Sequence, residues 1–270
     1  MTESTRTPVS RGITYIGYSM DKFDQNSVQQ ALKQRGFDVI EPPAVSVPGL
    51  NNAMKQWVRM RDGTPELYFS DARGLIIQLS DTSYCGGSGK LGATCDKVEA
   101  SPTPGLFKLT QISHFTAFVS NGGEANTFYQ DIFGLKVQAY QGPGAPVTGI
   151  GDGKQFVMYA GGGPGPGGPG GGANPNAAKT PANINHGCFN MEGFKVDDVL
   201  AKLTAQGLKA RPEAQGPGQQ AAGPLMHYVS LRQPNRGGAE GGTPELYFTD
   251  PDGILMQLQD TSYCGGGGYL

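Results

Sequence analysis

Three histidines are the residues of this chain whose side chains offer the most direct chemistry. They are His114, His186 and His227. A neutral imidazole binds divalent transition metals, and its protonation near neutral pH suits it to acid–base catalysis. The four cysteines show none of the spacings of a zinc site, and no basic partner stands beside Cys264 to activate it as a nucleophile. We therefore ask which elements position the histidines.

Two copies of one long pattern occupy most of the chain. The segment GTPELYFSDARGLIIQLSDTSYCGG (63–87) matches GTPELYFTDPDGILMQLQDTSYCGG (242–266) at 18 of 25 positions. Upstream, residues 13–37 align without a gap to residues 184–208. The offset changes by eight between the two blocks (184 − 13 = 171; 242 − 63 = 179), which predicts an insertion in the second copy near QPNRGGAEG (233–241).

Each copy has the pattern of a strand, a helix and further strands. In the second copy Val199, Leu200 and Leu203 fall at helical spacing before Gly207, which predicts a helix over about 196–206. The strands predicted after it are 225–232, 245–250 and 254–260. A third, more diverged unit lies between the copies, with a strand at 111–120 that contains His114 and a helix at 122–134. The predicted fold class is therefore α+β, built from repeated βαβββ modules.

These residues resemble the vicinal oxygen chelate superfamily, which includes glyoxalase I, bleomycin-resistance proteins and extradiol ring-cleaving dioxygenases. The resemblance covers nearly the whole chain. Its carriers are ISHFTAFVSNGGEANTFYQDIFGL for one module, and INHGCFNMEGFKVDDVLAKLTAQGLKARP with LYFTDPDGILMQL for another. It implies that two modules pair into a curved mixed-sheet cup, whose inward-facing strand residues hold a divalent metal.

The family's metal positions fall on His114, His186 and Gln257 of this sequence, and the family's tyrosine falls on Tyr247. The third metal position usually carries a carboxylate, whereas the amide of Gln257 supplies a neutral oxygen and binds a hard cation more weakly. Glutamine is nevertheless a metal ligand in glyoxalase I-like members. The extradiol pattern also expects a histidine before Tyr247, where this chain has GGAEGGT, so a ring-cleaving dioxygenase is disfavoured.

A residue that occurs at the same position in both copies has a structural role as its alternative explanation. His186 aligns with Tyr15, so the metal position is kept in the second copy alone. Glu245 is a less favoured substitute ligand, because Glu66 matches it and a pairing with Arg232 explains both. Gln78 matches Gln257 in the same way, so a hydrogen-bonding role inside the cup stays an alternative. His227 and Tyr247 are the candidates for proton transfer.

Composition excludes several classes of protein. Lys and Arg number 21 against 23 Asp and Glu, which argues against a nucleic-acid or membrane-surface partner. The apolar runs are strand-sized, and residues 1–12 show no signal peptide, so the chain as it stands is expected in the cytoplasm, with export open if an N-terminal segment precedes it. Cys85 and Cys95 flank a loop that either a disulfide or two thiols would suit.

The predicted organisation is a first region, 1–100, with one βαβββ module, and a complete domain, 106–270. The complete domain pairs modules at about 106–160 and 184–263 around a Gly- and Pro-rich loop, 161–183, which reads as a connector or a lid. The first module is expected to be completed by a second copy of the chain in a homodimer, or to lack a preceding module.

Two functions follow from the resemblance. The first is a small-molecule enzyme of glyoxalase, isomerase or dioxygenase-like type, with Fe, Mn, Zn or Ni as a Lewis acid and no organic cofactor. The second is a metal-free protein that binds and sequesters a small molecule, as bleomycin-resistance proteins do. Phe115, Tyr159, Tyr228 and Tyr247 are the aromatic side chains expected to line the cup in that case.

Overall fold

Two mixed β-sheets and three α-helices make up the part of the chain that a computed structural model describes, residues 12–44, 47–95, 99–142, 144–161, 181–212 and 223–266. The predicted α+β class, with repeated βαβββ modules paired into a cup, is confirmed. Most of the Gly- and Pro-rich loop, residues 162–180, lies outside the described residues. No helix in the described ranges is long and apolar enough to cross a membrane.

The first module forms a sheet of its own, with strand order β1-β5-β4-β3-β2. Its elements are β1 (Ile16–Met20), α1 (Gln25–Gln34), β2 (Asp38–Val39), β3 (Lys55–Arg61), β4 (Thr64–Ser70) and β5 (Ile76–Asp81). Helix α1 begins where the Asp24 carboxylate accepts a hydrogen bond from the Ser27 N–H at 2.8 Å, and its apolar stripe buries Leu32 as predicted.

The second and third modules share one nine-stranded sheet. The second comprises β6 (Leu109–Phe118), α2 (Gly122–Phe133), β7 (Lys136–Tyr140), β8 (Pro146–Ile150) and β9 (Gln155–Ala160). The third comprises β10 (Asn183–Met191), α3 (Val196–Ala205), β11 (Lys209–Ala210), β12 (Met226–Arg232), β13 (Thr243–Thr249) and β14 (Leu255–Asp260). The strand order is β11-β12-β13-β14-β10-β6-β9-β8-β7, so the first strands of the two modules, β10 and β6, pair antiparallel at the centre.

The repeated hairpin of the first and third modules is a structural device. The Asp71 carboxylate accepts hydrogen bonds from the backbone N–H groups of Arg73 and Leu75, at 2.8 and 2.9 Å. The Asp250 carboxylate accepts the corresponding pair from Asp252 and Ile254, at 2.9 and 2.8 Å. The Asp-x-x-Gly pattern that both copies share is therefore explained by the turn that these residues form.

A mixed hydrophobic core joins the first module to the second. Leu32, Phe37 and Phe69 of the first module cluster with Tyr129 of α2 and Tyr159 of β9. Two polar contacts cross the same boundary: the Tyr129 hydroxyl donates to the Asp71 carboxylate at 3.0 Å, and Arg73 pairs with Glu124 at 2.6 Å. Cys85 and Cys95 form a disulfide, so the first of the two predicted alternatives holds. The division into regions 1–100 and 106–270 stays a prediction.

Candidate functional site

A cavity of about 120 Å³ lies where the second and third modules meet. His114 enters it from β6, His186 from β10, Glu245 and Tyr247 from β13, and Gln257 from β14. The remaining lining residues are Thr116, Phe118, Gln141, Met158, Ala160, Asn185, Tyr228, Ser230, Arg232 and Arg236. The pairing of β6 with β10 and of β10 with β14 therefore brings residues 143 positions apart in the chain (257 − 114) into one cavity.

His114 and His186 face each other across this cavity, with ring centroids 5.5 Å apart and the rings nearly perpendicular. Burial lowers the pKa of His186 to about 4, and the neighbouring Gln257 amide opposes that shift. Burial also holds the pKa of His114 well below its ordinary value, helped by His186 and by the charge of Arg232. Both imidazoles are therefore neutral at pH 7, the state that binds metal.

A single hydrogen bond sets the tautomer of His186. Its Nδ1 lies 2.7 Å from Asn185 Oδ1, an amide oxygen that only accepts, so Nδ1 carries the proton. The lone pair is then on Nε2, a buried atom without a hydrogen-bond partner in the described structure. A histidine that ligates metal through one nitrogen is commonly oriented in this way by a hydrogen bond from the other.

Gln257 supplies two further buried atoms without partners. Its side chain is 1% exposed and lies opposite Tyr247 in the β13–β14 ladder. The amide is close enough to both imidazoles to affect their pKa values, yet neither Oε1 nor Nε2 makes a hydrogen bond of ordinary geometry with a described residue. Two neutral imidazoles and an amide oxygen are donors that suit a divalent first-row metal. The described residues contain no group of three His, Cys, Asp or Glu that could hold a metal, so the Gln257 amide is the candidate for a third protein ligand beside the two histidines.

Glu245 lines the cavity but is occupied by other partners. Its carboxylate forms a buried ion pair with Arg232 and accepts a hydrogen bond from the Tyr263 hydroxyl at 3.2 Å. The first module repeats this arrangement, since Glu66 pairs with Arg61 at 2.6 Å and accepts from Tyr84 at 2.8 Å. The pairing with Arg232 that the sequence comparison anticipated is therefore present, and it accounts for Glu245 without a metal.

Tyr247 packs against His186, with ring centroids 5.2 Å apart and the rings nearly perpendicular, and it stacks on Tyr228 at 4.8 Å. Burial raises the pKa of its hydroxyl well above the ordinary value, so Tyr247 is neutral, and the hydroxyl donates to the Glu245 carboxylate at 3.4 Å. In the first module Tyr15 meets Tyr68 edge-on at 5.4 Å, at nearly the same angle. A tyrosine at the position of His186 thus keeps the edge-on packing but has no imidazole nitrogen.

The structure does not bring His227 into this cavity. Successive side chains of a strand point to opposite faces, so Tyr228 lines the cavity while His227 faces α3. There its Nε2 lies 3.1 Å from the Thr204 hydroxyl. The role of His227 in proton transfer stays a prediction, and the sequence had no signal for which face of β12 this residue would occupy.

Sequence reasoning missed several polar residues of the site, among them Asn185 and Arg236. Asn185 directly precedes His186, but the bond between their side chains depends on local strand geometry that a sequence pattern does not contain. Arg236 falls inside the segment 233–241 that the comparison of the copies had already isolated as an insertion. That insertion was therefore the available signal for Arg236.

Acidification of the metal-free protein is expected to reveal the buried His186. An unfolded histidine binds a proton near pH 6.5, whereas folded His186 binds one only near pH 4. The folded state is therefore destabilised as pH falls through this window, by about 3 kcal/mol for this residue. Chemical unfolding in the presence of a chelator, at pH 7 and pH 4.5, measures the loss. His186→Gln should lose distinctly less stability over the same range; an identical loss in both proteins contradicts the prediction.

Comparisons with known proteins agree with this architecture. The family model described as the Glyoxalase/Bleomycin resistance protein/Dioxygenase superfamily matches residues 111–258. The solved 2,3-dioxygenase LapB from Pseudomonas sp. KL28 is 13% identical with a TM-score of 0.50, covering 96% of this chain and 73% of that chain. BphC, a halotolerant catechol dioxygenase, is also 13% identical with a TM-score of 0.50, covering 95% and 67%.

A third solved structure, the Mn(II)-bound glyoxalase from Novosphingobium aromaticivorans, is 17% identical with a TM-score of 0.46, covering 90% of this chain and 62% of that chain. The search of curated proteins found no match. At identities this low, structural likeness shows a shared fold and leaves the reaction to be argued from the site.

Proposed function

Since this chain belongs to the Glyoxalase/Bleomycin resistance protein/Dioxygenase superfamily, we propose that it is a small-molecule enzyme that uses a divalent metal. His114, His186 and Gln257 would hold the ion. The observation that carries the proposal is the convergence of buried atoms without hydrogen-bond partners, His186 Nε2 and both amide atoms of Gln257. Buried polar atoms are nearly always paired, and a metal ion accounts for the nitrogen and the amide oxygen together.

The protein's own residues would perform distinct tasks. Asn185 Oδ1 accepts a hydrogen bond from the Nδ1–H of His186, and this bond leaves the lone pair on Nε2, the nitrogen that would bind the ion. Tyr247 offers a protonated hydroxyl at the cavity, suited to hold a proton near a substrate oxygen. Arg232 and Glu245 both line the cavity, and their opposite charges neutralise each other in an ion pair. When bound, the ion supplies Lewis-acid polarisation of a substrate carbonyl or enediolate oxygen.

Proton-transfer chemistry of glyoxalase or isomerase type is favoured over ring cleavage. The whole chain has three histidines, two of them are the proposed ligands, and the third faces α3. No histidine is then left to act as an acid–base group in the cavity, where the extradiol pattern expects one. Tyr247 is a titratable hydroxyl of the cavity lining placed beside a proposed ligand, at 5.2 Å between its ring centroid and that of His186.

Metal content is the direct test. Protein purified without chelator and titrated with Mn(II), Fe(II), Zn(II) or Ni(II) is expected to bind about one equivalent of at least one of them, measured by elemental analysis and calorimetry. His186→Tyr, which copies the first module, should abolish uptake, whereas His227→Gln should leave it unchanged. Less than about 0.1 equivalent, with no uptake on titration, contradicts the proposed metal site.

A metal-free binding protein is the second candidate, and one observation favours it. The site contains no free carboxylate, because Glu245 is paired with Arg232. In this case the Tyr228–Tyr247 stack would hold an aromatic or apolar compound, and Gln257 would hydrogen-bond to it. Ligand binding that persists unchanged in His186→Tyr, together with absent metal uptake, would support this alternative.

A further inference from the structure

The ten-residue connection between β12 and β13 sets the third module apart from the first. In the first module Arg61 pairs with Thr64, so residues 62–63 alone turn the chain. In the third module the equivalent Arg232 pairs with Thr243, and residues 233–242 lie between them. The eight extra residues are the insertion predicted from the sequence. They occur in the module that carries His186 and are absent from the one that carries Tyr15.

This insertion brings Arg236 to the cavity. A short 3₁₀ turn, Pro234–Arg236, packs against the loop after β7, where a Cβ on Gly142 would lie 3.8 Å from the Arg236 Cα. Gly237 has a φ of +75°, and a Cβ there would lie 2.2 Å from the Tyr140 carbonyl oxygen. Glycine is therefore required next to Arg236, and the turn closes against the second module at the cavity rim.

The charges around the cavity leave Arg236 uncompensated. The lining contains two arginines and one glutamate, and Glu245 already neutralises Arg232. The Arg236 guanidinium makes no ion pair or hydrogen bond with any residue in the described ranges, and its side chain is exposed at the rim. The proposed ligands His114, His186 and Gln257 are all neutral groups, so none of them offers a negative charge to a bound cation or to Arg236.

We infer that this site selects small carboxylates, and that Arg236 on the inserted turn is the residue that recognises the carboxylate group. An arginine presents paired N–H donors that match the two oxygens of a carboxylate. The cavity volume of about 120 Å³ is well below the several hundred Å³ typical of drug-sized ligands, so the enclosed part of the substrate is small. This inference deepens the proposed function by naming its substrate class, and the metal-free protein tests it separately.

Matched pairs of carboxylates and neutral amides provide the test. Acetate, pyruvate and benzoate are compared with acetamide, pyruvamide and benzamide by calorimetry or ligand-observed NMR, on chelator-treated protein and again after metal titration. At least one carboxylate is expected to bind about tenfold more tightly than its amide in both states. Arg236→Gln should remove that preference, and Arg236→Lys, which keeps the charge but not the paired donors, should restore only part of it. Arg35→Gln, which removes an exposed arginine just after α1 and outside the cavity, is the control and should leave the preference for carboxylates unchanged.

Each outcome decides the inference independently of the metal. A carboxylate preference that depends on Arg236 but occurs without metal uptake supports the inference and contradicts the proposed metal enzyme. Metal uptake without any preference for carboxylates supports the proposed metal enzyme and contradicts the inference about Arg236. Equal binding of carboxylate and amide in every pair, an absence of binding, or a preference that survives Arg236→Gln overturns the assignment of Arg236.

Discussion

Replacing Gln257 with glutamate is expected to raise the affinity of this protein for Mn(II) or Fe(II) by at least about tenfold. The added carboxylate would place a negative charge beside two neutral imidazoles, at a buried position that now holds an amide without partners. In metal-free protein the same charge has no counterion among these ligands, so the free energy of unfolding should fall by on the order of 2 kcal/mol at pH 7. Calorimetric titration and chemical unfolding measure the two effects.

The first module supplies the control for this change. Gln78 lies opposite Tyr68 in the β4–β5 ladder, as Gln257 lies opposite Tyr247. Because Tyr15 replaces the histidine there, Gln78→Glu should bury a charge without creating metal affinity. If both glutamate variants destabilise the protein equally and neither gains affinity, Gln257 serves the fold of the cup and not a metal.

Replacing Glu245 with glutamine is expected to cost about 3 kcal/mol of stability. Arg232 is 3% exposed, and the loss of its partner leaves a buried cation with no counter-charge. Metal affinity should change little, because the Glu245 carboxylate is held by Arg232 and Tyr263 and not by the proposed ligands. Urea unfolding and metal titration of the same variant separate these roles.

Glu66→Gln is the matched variant in the first module. Its partner Arg61 has a side chain 45% exposed, so water stabilises the unpaired guanidinium and the expected loss is about 1 kcal/mol. A large loss of metal affinity in Glu245→Gln, absent from Glu66→Gln, would instead identify Glu245 as a ligand and Gln257 as its neighbour.

The two copies differ at some positions and agree at others, and the structure gives a structural role to several positions at which they agree. Shared letters such as Asp71 and Asp250 accept the same backbone hydrogen bonds in both hairpins. Two differences between the copies, Tyr15 against His186 and a two-residue turn against the inserted segment 233–242, place His186 and Arg236 of the third module at the cavity.

Much of the fold was predictable from the sequence, for local physical reasons. Helix α3, predicted over about 196–206, spans Val196–Ala205, because an apolar stripe at helical spacing and a following glycine are local signals. The strands predicted at 245–250 and 254–260 form as Thr243–Thr249 and Leu255–Asp260, because alternation and turn chemistry are also local. The eight-residue insertion was also predictable, because it follows from the change in offset between the two aligned blocks of sequence.

The sequence by itself therefore determined the modules, their order and the copy in which a histidine replaces tyrosine. Only the tertiary structure decided what shares the cavity: strand pairing brings His114, His186 and Gln257 together, strand alternation turns His227 towards α3, and the inserted turn brings Arg236 to the lining. These outcomes depend on contacts between residues distant in the chain and on which face of a strand each occupies, and no local pattern contains that information.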